Sequence, residues 1–175
     1  ADCTVLDYST EQLKREEEVG AREGYTPKCV RSDMTKPLPF EDGTFDLIFN
    51  PVSNCYVEEL EPIWKECARV LKPGGVLIVG SAGPRHLYGL KKAVYDTPTL
   101  NDPRADLPTG LEAVYSEELE YKLEFSPDRR EDIMRLFGMT PYRYRTSAAD
   151  IERLRALESL ECEADFEFRV YRKKS

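Results

Sequence analysis

The sequence predicts an α/β chain with a mostly parallel sheet that closes on an antiparallel, hairpin-type edge near its C-terminus. Three observations carry this. Short apolar runs alternate with amphipathic helical stretches through the first eighty positions, the pattern of a right-handed α/β winding. Val76-Leu77-Ile78-Val79 is apolar at every position, as a strand covered on both faces must be. Farther on, Leu119, Tyr121, Leu123 and Phe125 alternate with charged residues, and Phe166, Phe168 and Val170 do the same, which predicts two half-buried strands.

The elements follow in order. Cys3 to Asp7 reads as a short strand, and Ser9 with Gln12 forms a capping signature that opens a helix through Arg22. Lys28 to Arg31 is a weaker strand, followed by Ser32-Asp33-Met34 and a proline-bearing loop from Lys36 to Gly43. Phe45 to Phe49 predicts a strongly apolar strand that stops at Asn50-Pro51, where proline removes a ladder donor. From Val57 to Leu71, the residues Leu60, Ile63, Trp64, Cys67, Ala68 and Leu71 recur at helical spacing, and Pro73-Gly74-Gly75 ends that helix. Arg85 to Tyr95 is a further predicted helix, and Asp96 to Gly110 is a surface loop. Helices near Arg129 to Phe137 and Ala148 to Leu157 complete the set, the last with a stripe of Ile151, Leu154 and Leu157.

Composition narrows the class. The chain has 175 residues, 41% hydrophobic and 33% charged, which suits one folded domain with a sizeable core and not a disordered tract. A formal net charge of -8 sets the average field against phosphate backbones, so a nucleic-acid partner requires a local basic patch. Arg143 with Arg145 and the run Arg172-Lys173-Lys174 are the candidates, and a solvated charged face is the first reading of both. Five scattered cysteines without a C-x-x-C pair read as reduced thiols. No apolar run approaches the ~20 residues that span a bilayer. A cytoplasmic location without membrane contact is the expectation.

Chemistry concentrates at three successive strand ends, which carry Asp7, Asp33 and Asn50. In a doubly wound sheet, ligands bind at the carboxyl ends of the strands. An acid after one strand can accept both hydroxyls of a ribose, and an acid after the next can accept an adenine amine while Met34 packs on the ring. Taken singly, an aspartate after a strand is most often a cap or turn residue. Their order and spacing together favour the nucleoside reading.

With these residues and the segments T-V-L-D-Y-S (4–9), D-M (33–34), L-P-F-E-D-G-T-F-D-L-I (38–48) and R-V-L-K-P-G-G (69–75), the chain resembles class I S-adenosylmethionine-dependent methyltransferases. The resemblance implies a Rossmann-like sheet, S-adenosylmethionine as cofactor and S-adenosylhomocysteine as its product. It assigns Asp7 to the ribose, Asp33 and Met34 to the adenine, and Asn50 with Pro51 to the edge of the cavity where methyl group and substrate meet, with Tyr8 among the cofactor-binding residues. G-P-R-H-L-Y-G-L-K (83–91), M-T-P-Y (139–142) and D-F-E-F-R-V-Y-R-K (165–173) are similar to a narrower group that methylates N1 of a guanine in large-subunit rRNA. N-P-V-S-N-C-Y (50–56) looks more like generic bacterial small-molecule enzymes. Substrate expectations are therefore an rRNA guanine first and a small molecule second.

The family's first strand and helix and the glycine-rich loop between them would precede Ala1, and no G-x-G occurs in the chain. That loop lets the backbone approach the methionine end of the cofactor. The expectation is a single methyltransferase domain over residues 1–175, incomplete at its N-terminal side, without the rRNA group's four-cysteine zinc module and with no metal site. The missing strand is the middle one of the sheet, so its neighbours either pair directly or leave a gap for a partner, a second copy among the options. His86 is a candidate base for a guanine N1 proton, weighed against an ordinary first-turn residue. Tyr142 and Arg143, with Tyr144 and Arg145 beside them, are candidates for contact with an extruded base, or ordinary packing. The competing function is a non-catalytic methyltransferase scaffold that acts through protein contacts, as a homodimer or otherwise.

Overall fold

The computed structural model of the chain describes residues 2–102 and 108–174, and part of the predicted 96–110 loop, residues 103–107, lies outside the described residues. The architecture is α/β with a mixed sheet. Six strands, β1 (Thr4–Asp7), β2 (Lys28–Arg31), β3 (Phe45–Pro51), β4 (Leu71–Ala82), β5 (Leu111–Phe125) and β6 (Leu160–Lys173), are described. Five helices accompany them: α1 (Thr10–Glu23), α2 (Glu61–Val70), α3 (Tyr88–Val94), α4 (Arg130–Gly138) and α5 (Ala148–Arg155). Two compact units result, one built mainly from residues 1–78 and one mainly from 79–105 and 115–169, with β4, β5 and β6 each giving residues to both.

In the first unit, β1 and β2 form a parallel two-stranded sheet in the register Thr4–Lys28 through Asp7–Arg31. The four other strands form a separate sheet in the order β3-β4-β6-β5. β1 and β3 do not pair with each other. α1 connects β1 to β2, as a parallel pair requires. Ser9 caps it by accepting from the Gln12 N–H, and Gly24 ends it in the left-handed region at φ 81°.

α2 starts later than its periodicity predicts. A short 3₁₀ turn occupies Ser53–Tyr56, and the helix begins at Glu61 with Pro62 in its first turn, where a missing N–H costs nothing. Ile63, Trp64, Cys67 and Val70 of α2 are buried, on the face the spacing predicts. The motif residues just before β3 are bound to this helix. Arg69 donates to both Glu66 oxygens (2.9 and 2.7 Å), to the Phe40 and Leu38 carbonyls (2.8 and 3.0 Å) and to Asp42 (2.8 Å). Glu66 in turn accepts from the Leu38 N–H at 2.6 Å. The L-P-F-E-D-G loop and the R-V-L-K-P-G-G segment are thus two sides of one clamp.

The second unit packs around Leu90, Val94, Ile133, Phe137, Leu154 and Cys162. Ile151 of α5 and Leu157 just beyond it lie against this cluster and form with Leu154 the predicted stripe. α3 begins three residues later than predicted because Leu87 takes a left-handed conformation at φ 54°, which α-helix cannot accommodate. β5 is far more exposed than alternation suggests, with Leu119 and Tyr121 about half exposed, because it is the outer strand of its sheet. Gly89 is compelled by close approach: a Cβ there would meet the Glu161 carbonyl and the Cys162 backbone.

Candidate functional site

The acidic residues predicted to share a pocket sit at the same end of one parallel pair. Asp7 is the last residue of β1 and registers with Arg31, the last of β2. The Ser32 N–H then donates to the Asp7 carbonyl at 3.1 Å, which places Asp33 one residue past a direct β1–β2 link. Parallel pairing therefore brings both carboxylates to the carboxyl edge, where α/β folds take ligands.

Each acid is also held locally. One Asp7 oxygen accepts from the Ser9 N–H at 2.6 Å, so the residue organises the turn into α1. Asp33 accepts from the Thr35 hydroxyl (2.7 Å) and N–H (2.9 Å), and these bonds, first the hydroxyl and then the amide, hold its carboxyl below the usual Asp range. In both residues these bonds fall on Oδ1. The cap-or-turn reading and the nucleoside reading are thus compatible, because a carboxylate has two oxygens.

Tyr8 is exposed, with the Arg31 guanidinium 5.5 Å from its ring centre and the Arg31 Nε donating to its carbonyl at 3.2 Å. Met34 is half-buried beside Asp33. Asn50 and Pro51 end β3; Asn50 is buried and Pro51 exposed. Asn50 Oδ1 has no hydrogen-bond partner, and Asn54 Oδ1 and Trp64 Nε1 share that condition. Such atoms are rare in folded proteins and each costs about 1–3 kcal/mol. Asn54 and Trp64 escaped the sequence reading, since Trp64 fits an apolar helical face and a second asparagine in a polar loop carries no signal. Val52, between the two asparagines, is held in the left-handed region at φ 53°, an uncommon conformation for a β-branched residue.

His86 lies in the second unit. The Asp165 N–H donates to its Nδ1 at 3.3 Å, and its ring lies 4.5 Å from that of Phe166. Burial lowers its pKa most, the Asp165 carboxylate opposes this, and Lys91 adds to the lowering. The Asp165 carboxylate accepts from the Arg85 N–H at 2.7 Å, and Glu163 pairs with Arg85 at 2.9 Å. The segments around 83–91 and 160–166 are therefore stitched together, which gives His86 a structural setting whatever else it does. Tyr142 packs against the second-unit core, with Tyr95 edge-on at 6.1 Å and the Lys91 ammonium 5.5 Å from its ring. Arg143 and Tyr144 are exposed on the adjacent turn. Asp46, in β3, forms an exposed ion pair with Lys72 at 2.8 Å.

Among the described residues, no cluster of three or more His, Cys, Asp or Glu side chains is arranged for a metal ion. No described helix is long and apolar enough to cross a membrane. Cys67 and Cys162 are buried, and Cys3 and Cys55 are exposed.

Comparison with known proteins finds methyltransferases. The family described as a methyltransferase domain matches residues 1–79. A methyltransferase of Bacillus subtilis, YbaJ, itself described as uncharacterized, is 44% identical over 84 residues, 48% of this chain and 33% of its own length. A Caenorhabditis elegans sterol 4-C-methyltransferase is 31% identical over 132 residues, 74% of this chain and 39% of that protein. The chain thus spans about a third of the length of these curated relatives. Among solved structures, a Bacillus halodurans C-125 protein assigned as a methyltransferase superposes with a TM-score of 0.67 over all of this chain and 84% of its own, at 13% identity. The fold is that of the Rossmann-like methyltransferases. The sequence matches are to methyltransferases and cover part of the chain, and the whole chain shares their fold. The likeness of the C-terminal half to rRNA enzymes gains nothing from these relatives.

Proposed function

We propose that the chain is the catalytic part of an S-adenosylmethionine-dependent methyltransferase acting on a small molecule in the cytoplasm. The observation that carries this is the parallel β1–β2 register, which puts Asp7 and Asp33 on one carboxyl edge. This arrangement suits the nucleoside half of the cofactor: Asp7 would hold the ribose hydroxyls, Asp33 the adenine amine, and Met34 a face of the ring. Asn50 and Pro51 would border the reacting centre. The residues present do not provide a glycine-rich loop for the methionine half. When bound, the cofactor supplies an activated methyl group. The protein's contribution is to bind, align and exclude water, the main sources of acceleration in a displacement of this kind.

Substrates named for relatives include a sterol and, in a Coxiella burnetii enzyme 41% identical over 59 residues, malonyl-[acyl-carrier protein]. These favour a small or carrier-bound acceptor over a nucleic acid, as does the net charge of -8. A second reading, N1 of an rRNA guanine, draws on the 83–91 and 165–173 motifs, whose residues Gly83, Arg85, His86 and Asp165 are bonded to one another.

Titration calorimetry with S-adenosylhomocysteine tests the cofactor reading. Binding in the micromolar range, weakened at least tenfold by Asp7→Ala, is expected. Absence of measurable binding at millimolar ligand would leave the scaffold reading in its place.

A further inference from the structure

β5 is the outermost strand of the four-stranded sheet, so among the described residues one of its sides carries main-chain donors and acceptors that no strand meets. Shortness and proline are two ways in which such an edge is ordinarily blunted, and this strand has 15 residues and no proline. Its odd-numbered positions from Tyr115 to Phe125 are apolar apart from Glu117. Tyr115, Leu119 and Tyr121 are 57%, 48% and 49% exposed, although Leu123 and Phe125 on the same face pack against the second-unit core. Apolar side chains standing bare beside an open edge mark a strand that takes a neighbour. The even-numbered positions carry Glu118, Glu120, Lys122 and Glu124, all exposed, and these charges restrict what the neighbour is.

We infer that the neighbour is β5 of a second copy of this chain, paired antiparallel about a two-fold axis through Glu120, so that two four-stranded sheets join into one. The inference is independent of the methyltransferase reading. Main-chain groups of alternate residues face outward in an antiparallel strand, so an axis between identical strands must pass through a residue. Axes through Ser116 to Glu120 keep Tyr115, Leu119 and Tyr121 all within the overlap of the two strands. The axis through Glu120 sets Leu119 opposite Tyr121, Tyr115 opposite Phe125 and Glu118 opposite Lys122, each twice, against a single Glu120 pair on the charged face. Glu117, which accepts from the Tyr115 hydroxyl at 3.1 Å, then faces the half-buried Leu123. An axis through Leu119 opposes Glu118 to Glu120, one through Glu118 gives like pairs alone, and one through Ser116 opposes Glu112 to Glu120. An axis through Glu117 gains Glu112 opposite Lys122 but presses two Glu117 carboxylates together within the apolar face, where repulsion is least screened. Opposed like charges destabilise a strand pair, whereas opposed unlike charges and apolar pairs stabilise it. The one lysine among five glutamates of β5 therefore selects a single register, in which the apolar faces match and the charged faces attract on balance.

Sedimentation equilibrium of the full chain over about 1 to 300 µM tests this. A reversible dimer with a dissociation constant on the order of tens of micromolar is expected, as suits a contact built mainly on one strand. Lys122→Glu and Glu118→Lys should each weaken it at least tenfold, although they move the net charge in opposite directions, and the double variant should return it to within threefold of the wild type. Glu120→Gln, which removes the one like-charge contact, should tighten it at least twofold. These side chains are exposed, so unchanged thermal midpoints of the dilute variants are expected and show that each is folded. A chain that stays monomeric throughout the range would overturn the inference and leave the edge to a strand of another protein. A dimer indifferent to both single reversals, or one that the double variant does not restore, would also overturn it by putting the contact on another surface or in another register.

Discussion

Replacing Arg69 with alanine tests the clamp that joins the loop before β3 to α2. Its guanidinium makes five hydrogen bonds, but they are not equal. Asp42 is 81% exposed on its side chain, so that pair contributes little. Glu66 is 19% exposed and accepts both arms of the fork, and it would be left with only the Leu38 N–H. Adding two carbonyls that lose their donors, and discounting for the 29% exposure of Arg69, we expect a loss of about 2–3 kcal/mol. For a chain of this size that is a fall in thermal midpoint of about 4–12 °C. Arg69→Lys should recover less than half, because an ammonium cannot span the Glu66 oxygens and two carbonyls together. The assay is urea denaturation followed by circular dichroism, at neutral and acid pH. Glu66 is held below the usual Glu range chiefly by Arg69, with burial opposing and the Leu38 N–H helping. A depressed carboxylate stabilises the fold above its unfolded pKa and loses that contribution as pH falls through the folded value. The wild-type advantage over Arg69→Ala should therefore shrink below about pH 4. A loss under about 0.5 kcal/mol at neutral pH would show that the clamp is a surface ornament.

Other expectations follow from the same contacts. Burial pushes the Cys67 thiol up to about 12 and that of Cys162 to about 11, so a mild thiol reagent at pH 8 should label the exposed Cys3 and Cys55 and spare both buried residues until the protein unfolds. Fast labelling of Cys67 in the native state would contradict its placement. His86 is the sole histidine, and its ring signals in an NMR titration should report a pKa below the ordinary His value. By linkage, its contribution to stability is complete above the unfolded pKa and falls away as pH drops through the folded one; a midpoint above the ordinary value would reverse that sign. Gly89→Ala should cost at least 2 kcal/mol (order of magnitude) by driving a methyl into the Glu161 carbonyl and Cys162 backbone, against a near-neutral Gly138→Ala, where nothing lies within 4 Å. Equal stabilities would refute the close approach.

The parts legible in sequence were those governed by local rules. Ser9 announces α1, the period of Ile63, Trp64 and Cys67 fixes the buried face of α2, and the bounds of β2 read directly from Lys28 to Arg31. The late starts of α2 and α3 were hidden because apolar spacing continues through residues that turn differently; Pro62 sets one start and the left-handed Leu87 the other. The edge shared by Asp7 and Asp33 could be anticipated from strand order, since parallel pairing fixes which ends coincide. The roles of their individual oxygens could not, because the Ser9 N–H and the Thr35 hydroxyl reach them only through turns formed in the folded chain. Asn54 and Trp64 were invisible for the same reason: lacking a partner is a property of the packed state.

The break between the two-stranded and four-stranded sheets bears on motion. A ladder of main-chain bonds ordinarily ties the breathing of every strand to that of the whole, but β1, α1 and β2 share no such ladder with β3. This small βαβ piece can open on its own at a lower threshold than the larger sheet, and amide exchange should be faster there. The two acids proposed to read the nucleoside ride on that piece, so a nucleoside that gripped both would also slow the fastest-exchanging strands of the protein.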